Sequence, residues 1–248
     1  MRTLFISVLS LLIIGCDSKQ NGFLNEEKKI EGLQESVEIL RDQWGINHIY
    51  ANNQKDLFFA QGYAAAKDRL FQFEIWRRQA TGTVAEILGP DELARDIGTR
   101  LFQFRGDLNT ELSHYHPEGK AIIESYVAGV NSYIKEVLKT PEELPLPFKI
   151  LAIKPKLWTP EVVISRHQGL LGNIGQELQI GRAVSLLGPK KVKELLWFHP
   201  QEPDINLDKK IDSKLLFEDI LAPYFAFRKP VHFKSEHLKK DYQKKGAM

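Results

Sequence analysis

Val37-Glu38-Ile39-Leu40-Arg41-Asp42-Gln43-Trp44-Gly45-Ile46-Asn47-His48-Ile49-Tyr50-Ala51 is the stretch on which the fold turns. Val37 and Ile39 alternate with Glu38, and Ile46, His48 and Tyr50 share one face opposite Asn47 and Ile49. Alternation of that kind predicts two short strands, with turn chemistry at residues 42–45 and Gly45 free to take a positive φ. A helix should follow. Asn52 or Asn53 can cap it, and Asp56 places a negative charge in its first turn, where the helix dipole favours one. Phe59, Tyr63, Ala66, Leu70 and Phe73 recur at alternating four- and three-residue steps, a helical stripe. Gly62 and the alanines at 64–66 leave room for a close neighbour, and the helix is expected to end near Thr81-Gly82.

Downstream the pattern stays mostly helical. Residues 121–138 carry Ile122, Ile123, Tyr126, Val130, Tyr133, Ile134 and Val137 at helical spacing, bracketed by Pro117 and Pro141. Residues 141–147 read as a proline-broken loop. Thr159-Pro160-Glu161 reads as an N-cap with proline at the first helical position. Residues 177–187 form another expected helix, closed by Gly188-Pro189. A Pro-, Asp- and Asn-rich loop at 200–208 leads to a basic end, with seven Lys or Arg against two acidic residues after residue 227. A solvated terminus or spacer, 228–248, is expected there. Two strands are too few for a self-contained sheet.

At the other end, Arg2 and the apolar run 4–14 resemble a secretory signal. Leu12-Ile13-Ile14-Gly15-Cys16 resembles a bacterial lipobox, so 1–16 is expected to be a lipoprotein signal with Cys16 lipidated; an ordinary cleaved signal peptide is the alternative. Residues 17–35 are polar and read as a tether. Two or three acyl chains, at about 0.8 kcal/mol per buried CH₂, would hold the protein on the periplasmic side of an envelope membrane.

Composition narrows the function. The 248 residues are 43% hydrophobic and 27% charged, which is ordinary for a globular chain. Lys+Arg number 34 against 32 Asp+Glu, so nothing in the overall charge recommends nucleic acid as a partner. Cys16 is the only cysteine, which excludes a disulfide framework and multi-cysteine metal sites. Gly-rich phosphate loops and Gly-x-Ser-x-Gly are absent, so no organic cofactor or conventional triad is expected. His114-Tyr115-His116 reads as a surface turn before Pro117 in preference to a zinc site, lacking a nearby third ligand. Asp68, Arg69 and Arg78, in an otherwise apolar helix flanked by Gln61, Gln72 and Glu74, are expected to form an internal ion-pair network.

The opening stretch closely resembles the first block of the penicillin acylase family, roughly hydrophobic-x-Ile-x-Arg-Asp-x-x-Gly-hydrophobic-Pro-His-Ile, with Asn47 where proline is usual. Asp56-Leu57-Phe58-Phe59-Ala60-Gln61-Gly62-Tyr63 and Ala66-Lys67-Asp68-Arg69-Leu70-Phe71-Gln72-Phe73-Glu74 are similar to the family's next block. So are Arg77-Arg78-Gln79-Ala80-Thr81-Gly82, Ala85-Glu86-Ile87-Leu88-Gly89 and, later, Trp158-Thr159-Pro160-Glu161, with Val162 in place of the usual aspartate. The resemblance covers about residues 36–205.

It implies an α+β, mostly helical fold: the α-chain part of a four-layer αββα N-terminal-nucleophile hydrolase, with a domain at 36–227. The family's precursor cleaves itself, and its β chain starts with the nucleophilic serine, usually between glycine and asparagine. No Gly-Ser-Asn occurs among these 248 residues, so no catalytic residue is assigned here and the chain alone is expected to be inactive. The implied partners are that β chain and an acyl amide, of the β-lactam side-chain or N-acyl-homoserine lactone class. Leu171, Asn173 and Ile174 fall where the α chain lines the acyl pocket, and Glu177 matches a calcium-binding glutamate; as a lone carboxylate it could equally be a plain surface residue. A non-catalytic lipoprotein, either a truncated remnant or a surface-binding module, is the alternative.

Overall fold

The computed structural model describes residues 26–166 and 172–239. Residues 26–30 carry no regular secondary structure, and the body is built from Glu31 onward. The expected hairpin is present: β1 (Glu38–Arg41) pairs antiparallel with β2 (Asn47–Tyr50), Glu38 opposite Tyr50 and Arg41 opposite Asn47. Asp42 builds the turn by accepting the N–H groups of Trp44 and Ile46, both at 2.9 Å, and Gly45 takes φ 81°. This is the only sheet among the described residues. All four residues of β1 are exposed, and Trp44, Ile46 and Tyr50 leave more than half of their surface open. A hairpin this short is marginal without a third strand or a helix against it.

Helix α1 (Gln54–Thr81) supplies that support. Asn53 caps it, its side chain accepting the N–H of Asp56, and Gly82 ends it in the left-handed region at φ 60°. The sequence pattern does not foretell a kink at Arg69, whose φ of −137° leaves the helical range. Short helices α2 (Ala85–Leu88), α3 (Leu93–Phe102) and α4 (Leu108–His114) follow, then the long α5 (Gly119–Val137), starting two residues before the apolar pattern. Asp96 of α3 caps α2 across space, accepting the N–H groups of Val84 and Ala85 at 3.0 and 2.8 Å.

The centre of the fold is the crossing of α1 and α5. A Cβ on Gly62 would run into the backbone oxygen of Tyr126, and one on Gly129 into that of Phe59, so these glycines let the two backbones touch. Ala66, Leu70 and Phe73 from α1 meet Val127, Val130, Ile134 and Val137 from α5, with Phe148, Trp158 and Val162 closing the cluster.

Three expectations need correction. Residues 141–147 are not simply a loop: after a 3₁₀ turn at Pro141–Glu143 the chain enters α6 (Leu146–Leu151), which buries Phe148 against Phe71. Helix α7 (Pro160–Arg166) is as expected, and α8 (Ile174–Leu195) breaks at Gly188, φ 76°, but resumes behind Pro189. The proline serves as a first-turn residue there, where its missing N–H costs nothing. Finally, residues from 228 are not simply solvated over their described part. They continue from α9 (Ala222–Arg228), which packs on α3, and the buried Arg95 guanidinium donates to the carbonyls of Phe227, Lys229 and Pro230. Lys234 pairs with Asp91 at 2.9 Å, and Phe233 lies against Phe71. A buried cation must find acceptors, and this segment's carbonyls provide them.

Candidate functional site

Two polar assemblies fix the α1 region. The first ties the hairpin to the helix. Asp68 receives Arg41 on one carboxylate oxygen and the Asn47 amide on the other, the latter at 2.9 Å, while Asn47 Oδ1 accepts from Arg41 Nε at 3.2 Å. Asn47, the departure from the family's proline, thus joins the clamp through its side chain. On the turn, Asp42 Oδ2 stands 3.1 Å from His48 Nε2. The backbone N–H of Ile46, followed by the His48 ring, holds the Asp42 carboxyl below the usual aspartate range.

The second assembly is buried. Glu74 takes Arg77 on both oxygens at 2.8 and 3.0 Å, and its Oε2 also accepts the backbone N–H of Lys156 at 3.0 Å. Arg78 Nε lies 2.8 Å from Glu74 Oε1 as an ion pair without hydrogen-bond geometry. Arg78 donates as well to Glu86 Oε2 and to the Thr83 carbonyl, both at 2.9 Å. Burial pushes the Glu86 carboxyl up, and its bonds to Arg78 and Lys156 more than offset that, leaving it below the ordinary value. The expected network therefore has a different membership: Arg78 belongs to it, but its centre is Glu74. Asp68 serves the hairpin, and Arg69 sits exposed with a 3.5 Å contact to Gln72.

Lys156 leads to Trp158, whose backbone is gripped by one side chain: Asn131 Oδ1 accepts its N–H at 2.7 Å and Asn131 Nδ2 donates to its carbonyl at 2.9 Å. The Trp158 ring packs on Phe73 with centroids 4.9 Å apart, and Phe73 on Trp76 at 5.7 Å. These rings form one wall of a cleft of about 550 Å³. Phe58 and Gln61 extend it along α1, Ile122, Ile123 and Tyr126 of α5 form the opposite wall, and Val163 of α7 closes one side. Burial raises the Tyr126 phenol pKa. The Trp158 indole N–H is buried with no acceptor among the described residues.

Leu171 and Cys16 lie outside the described residues. Asn173 and Ile174 stand at the start of α8 and are not among the residues that line the cleft. Glu177 is exposed one turn into α8, its Oε1 accepting the Asn173 amide. His114 and His116 sit at the end of α4 and beyond it, the His116 ring accepting the N–H of Glu118. Among the described residues no three His, Cys, Asp or Glu gather as a metal cage. Glu177 and Asn173 offer calcium three side-chain oxygens at most, against the six to eight it takes, so they do not fit the ion as a site by themselves. No helix among the described residues is long and apolar enough to cross a membrane.

The aromatic cleft went unread in the sequence. Its available signal was Asn131, a polar residue amid the apolar stripe of α5, next to the conspicuous Trp158-Thr159-Pro160.

The family model described as Penicillin amidase matches residues 36–218. Penicillin G acylase of Escherichia coli is 37% identical over 144 residues, 58% of this chain and 17% of the relative. Acyl-homoserine lactone acylase QuiP of Pseudomonas aeruginosa is 31% identical over 182 residues, 72% of this chain and 21% of the relative. The chain thus spans about a fifth of the length of these relatives. In contrast, it covers 97% of a solved chain of the thermostable penicillin G acylase from Alcaligenes faecalis, with 70% of its own length, a TM-score of 0.55 and 27% identity.

Proposed function

Because the chain belongs to the penicillin amidase family, we propose that it is the α-chain half of an acyl-amide hydrolase whose nucleophile is carried by a companion β chain. The observation that carries this proposal is the open hairpin. A two-stranded sheet with every β1 residue exposed, and with Trp44, Ile46 and Tyr50 in solvent, has the form of a sheet margin awaiting further strands. The coverage figures agree with a division into chains: a fifth of the curated acylases, but nearly all of one solved acylase chain.

In this reading the companion's N-terminal serine attacks the amide carbonyl. Its own α-amine, with a reference pKa of about 7.7–8.0, accepts the hydroxyl proton and passes it to the departing amine. Water then cleaves the acyl ester, releasing the acid and regenerating the serine. The α chain contributes walls and scaffold. Leu171, Asn173 and Ile174 are proposed to face the acyl group, and Glu177 to lend one carboxylate to a calcium completed by the companion; no step runs through the ion. Cys16 is proposed as the lipid attachment that holds the assembly on the periplasmic side of a membrane. Substrates of the β-lactam side-chain or N-acyl-homoserine lactone class follow from the two kinds of relative.

The test is to produce the full chain alone and together with the reading frame that follows it in the gene, and to assay a chromogenic phenylacetyl amide and a set of N-acyl-homoserine lactones. Hydrolysis by the pair and none by the chain alone is expected. Turnover by the chain alone would overturn the division of labour, and no turnover by the pair would favour a non-catalytic lipoprotein.

A further inference from the structure

Beside the aromatic cleft lies a second hollow, of about 290 Å³, with a different lining. Ile122 of α5 is a wall of both. On α1 the two are joined along one face: Gln54 borders the small hollow, and Phe58 and Gln61, at steps of four and three, border the cleft. The small hollow carries both signs of charge. Lys55 comes from α1 and Glu124 from α5, and Glu124 has only a loose ion pair, 3.9 Å from Lys120. Ser125 lines it as well; it is 7% exposed, and its hydroxyl has no hydrogen-bond partner among the described residues. A buried hydroxyl left unpaired is costly, and this one borders a space that a ligand oxygen can enter. The cleft, by contrast, has aromatic and aliphatic walls and no charged side chain among those that line it.

We propose that the two hollows together bind a free amino acid with a large apolar side chain: its carboxylate on Lys55 and the Ser125 hydroxyl, its ammonium on Glu124, and its side chain past Ile122 in the aromatic cleft. The charges decide the class. A plain carboxylic acid would satisfy Lys55 and Ser125 but set its anion beside Glu124, and a plain amine would set its cation beside Lys55. An uncharged molecule would leave both charges unanswered. A head group that carries both charges complements the hollow as it stands. The cleft's volume of about 550 Å³ suits a small molecule, and apolar walls with a few convergent polar groups are the usual form of such a site. The inference goes beyond the acylase reading and needs no companion chain.

The test titrates the full chain with L-phenylalanine by calorimetry, using 3-phenylpropionate, which lacks the ammonium, and phenethylamine, which lacks the carboxylate, as matched compounds. One-to-one binding of L-phenylalanine is expected, about fivefold tighter than either. Lys55→Gln should weaken L-phenylalanine and 3-phenylpropionate about fivefold and spare phenethylamine; Glu124→Gln should weaken L-phenylalanine and phenethylamine and spare 3-phenylpropionate. Ser125→Ala should follow the Lys55 pattern. Lys55 and Glu124 are exposed, so helical content by circular dichroism should not change in their variants. Glycine, with no side chain for the cleft, should bind at least about tenfold more weakly than L-phenylalanine. No saturable binding, 3-phenylpropionate binding as tightly as L-phenylalanine, or indifference to both charge variants would overturn the proposal. So would binding by the chain that is lost in the pair co-produced with its downstream frame. The assay reads binding and no hydrolysis, so its failure leaves the acylase reading standing, and an inactive pair leaves this site untouched.

Discussion

Glu74→Gln is the substitution that most directly tests how the α1 wall is held. The change keeps the shape of the side chain and removes its charge from a site 1% exposed. Three groups lose their anion: Arg77 through two hydrogen bonds, Arg78 through an ion pair at 2.8 Å, and the N–H of Lys156. Arg78 retains Glu86 and the Thr83 carbonyl, so its cost is partly offset. Among the described residues Arg77 has no other side-chain acceptor, and it is itself only 6% exposed. Removing one member of a buried ion pair typically costs about 3–5 kcal/mol, because the remaining charge stays desolvated. With Arg78 still paired, the lower figure applies, about 3 kcal/mol. For a chain of this size that corresponds to a fall in Tm of about 6–12 °C. The assay is thermal and urea unfolding of the full chain, wild type against Glu74→Gln, with Glu74→Gln/Arg77→Met as the third corner. The double variant should regain part of the loss, since it deletes the stranded cation. A Glu74→Gln protein within 1 kcal/mol of wild type, or a double variant less stable than Glu74→Gln alone, would refute the claim that uncompensated charge governs this site.

Gly129→Ala in α5 should destabilise by about 2 kcal/mol or more, although alanine is ordinarily about 1 kcal/mol better than glycine inside a helix, because its Cβ meets the Phe59 carbonyl; thermal unfolding decides the sign. Asp56 is fully buried, and that burial pushes its carboxyl up, but the N–H groups of Gln34 and Glu35 and the Asn53 amide bring it below the ordinary 3.8. A lowered folded pKa contributes stability that is present above about 4 and is lost as pH falls through the folded value, so Asp56→Asn should destabilise at pH 7 and flatten the acid limb of the stability–pH curve followed by fluorescence. Backbone amides of β1 and β2 not paired within the hairpin should exchange with deuterium rapidly in the chain alone and gain protection when the companion is present; unchanged exchange in an assembled pair would contradict the sheet-margin reading.

Local rules made the elements legible. The period-two run before Asp42, the Asn53 cap and the four-and-three stripe from Phe59 to Phe73 each report short-range physics, and the hairpin and α1 appear where they place them. The glycine at 62 also carried its message, because a gap in a helix face implies a close neighbour; that the neighbour is the α5 backbone at Tyr126 depends on a crossing that no local pattern encodes. Helix α9 was missed for a related reason. Its first helical turn contains Pro223, and its partner is α3, more than a hundred residues earlier, so its helical state is decided by packing and not by propensity.

Charged residues were harder to place than apolar ones. Helical spacing already sets Asp68 opposite the buried stripe, where it meets the hairpin, while Glu74, Arg77 and Arg78 stay inside. The break at Arg69 divides two tasks. Before it, Asp68 holds the hairpin through Arg41 and Asn47; after it, Glu74 holds Lys156 and so the approach to Trp158. A single bent helix therefore anchors both the hairpin and the approach to the aromatic cleft. Loss of the buried anion should loosen the cleft while leaving the Arg41–Asp68–Asn47 clamp intact, so Glu74→Gln ought to raise exchange of the Trp158 backbone amide and spare that of the hairpin.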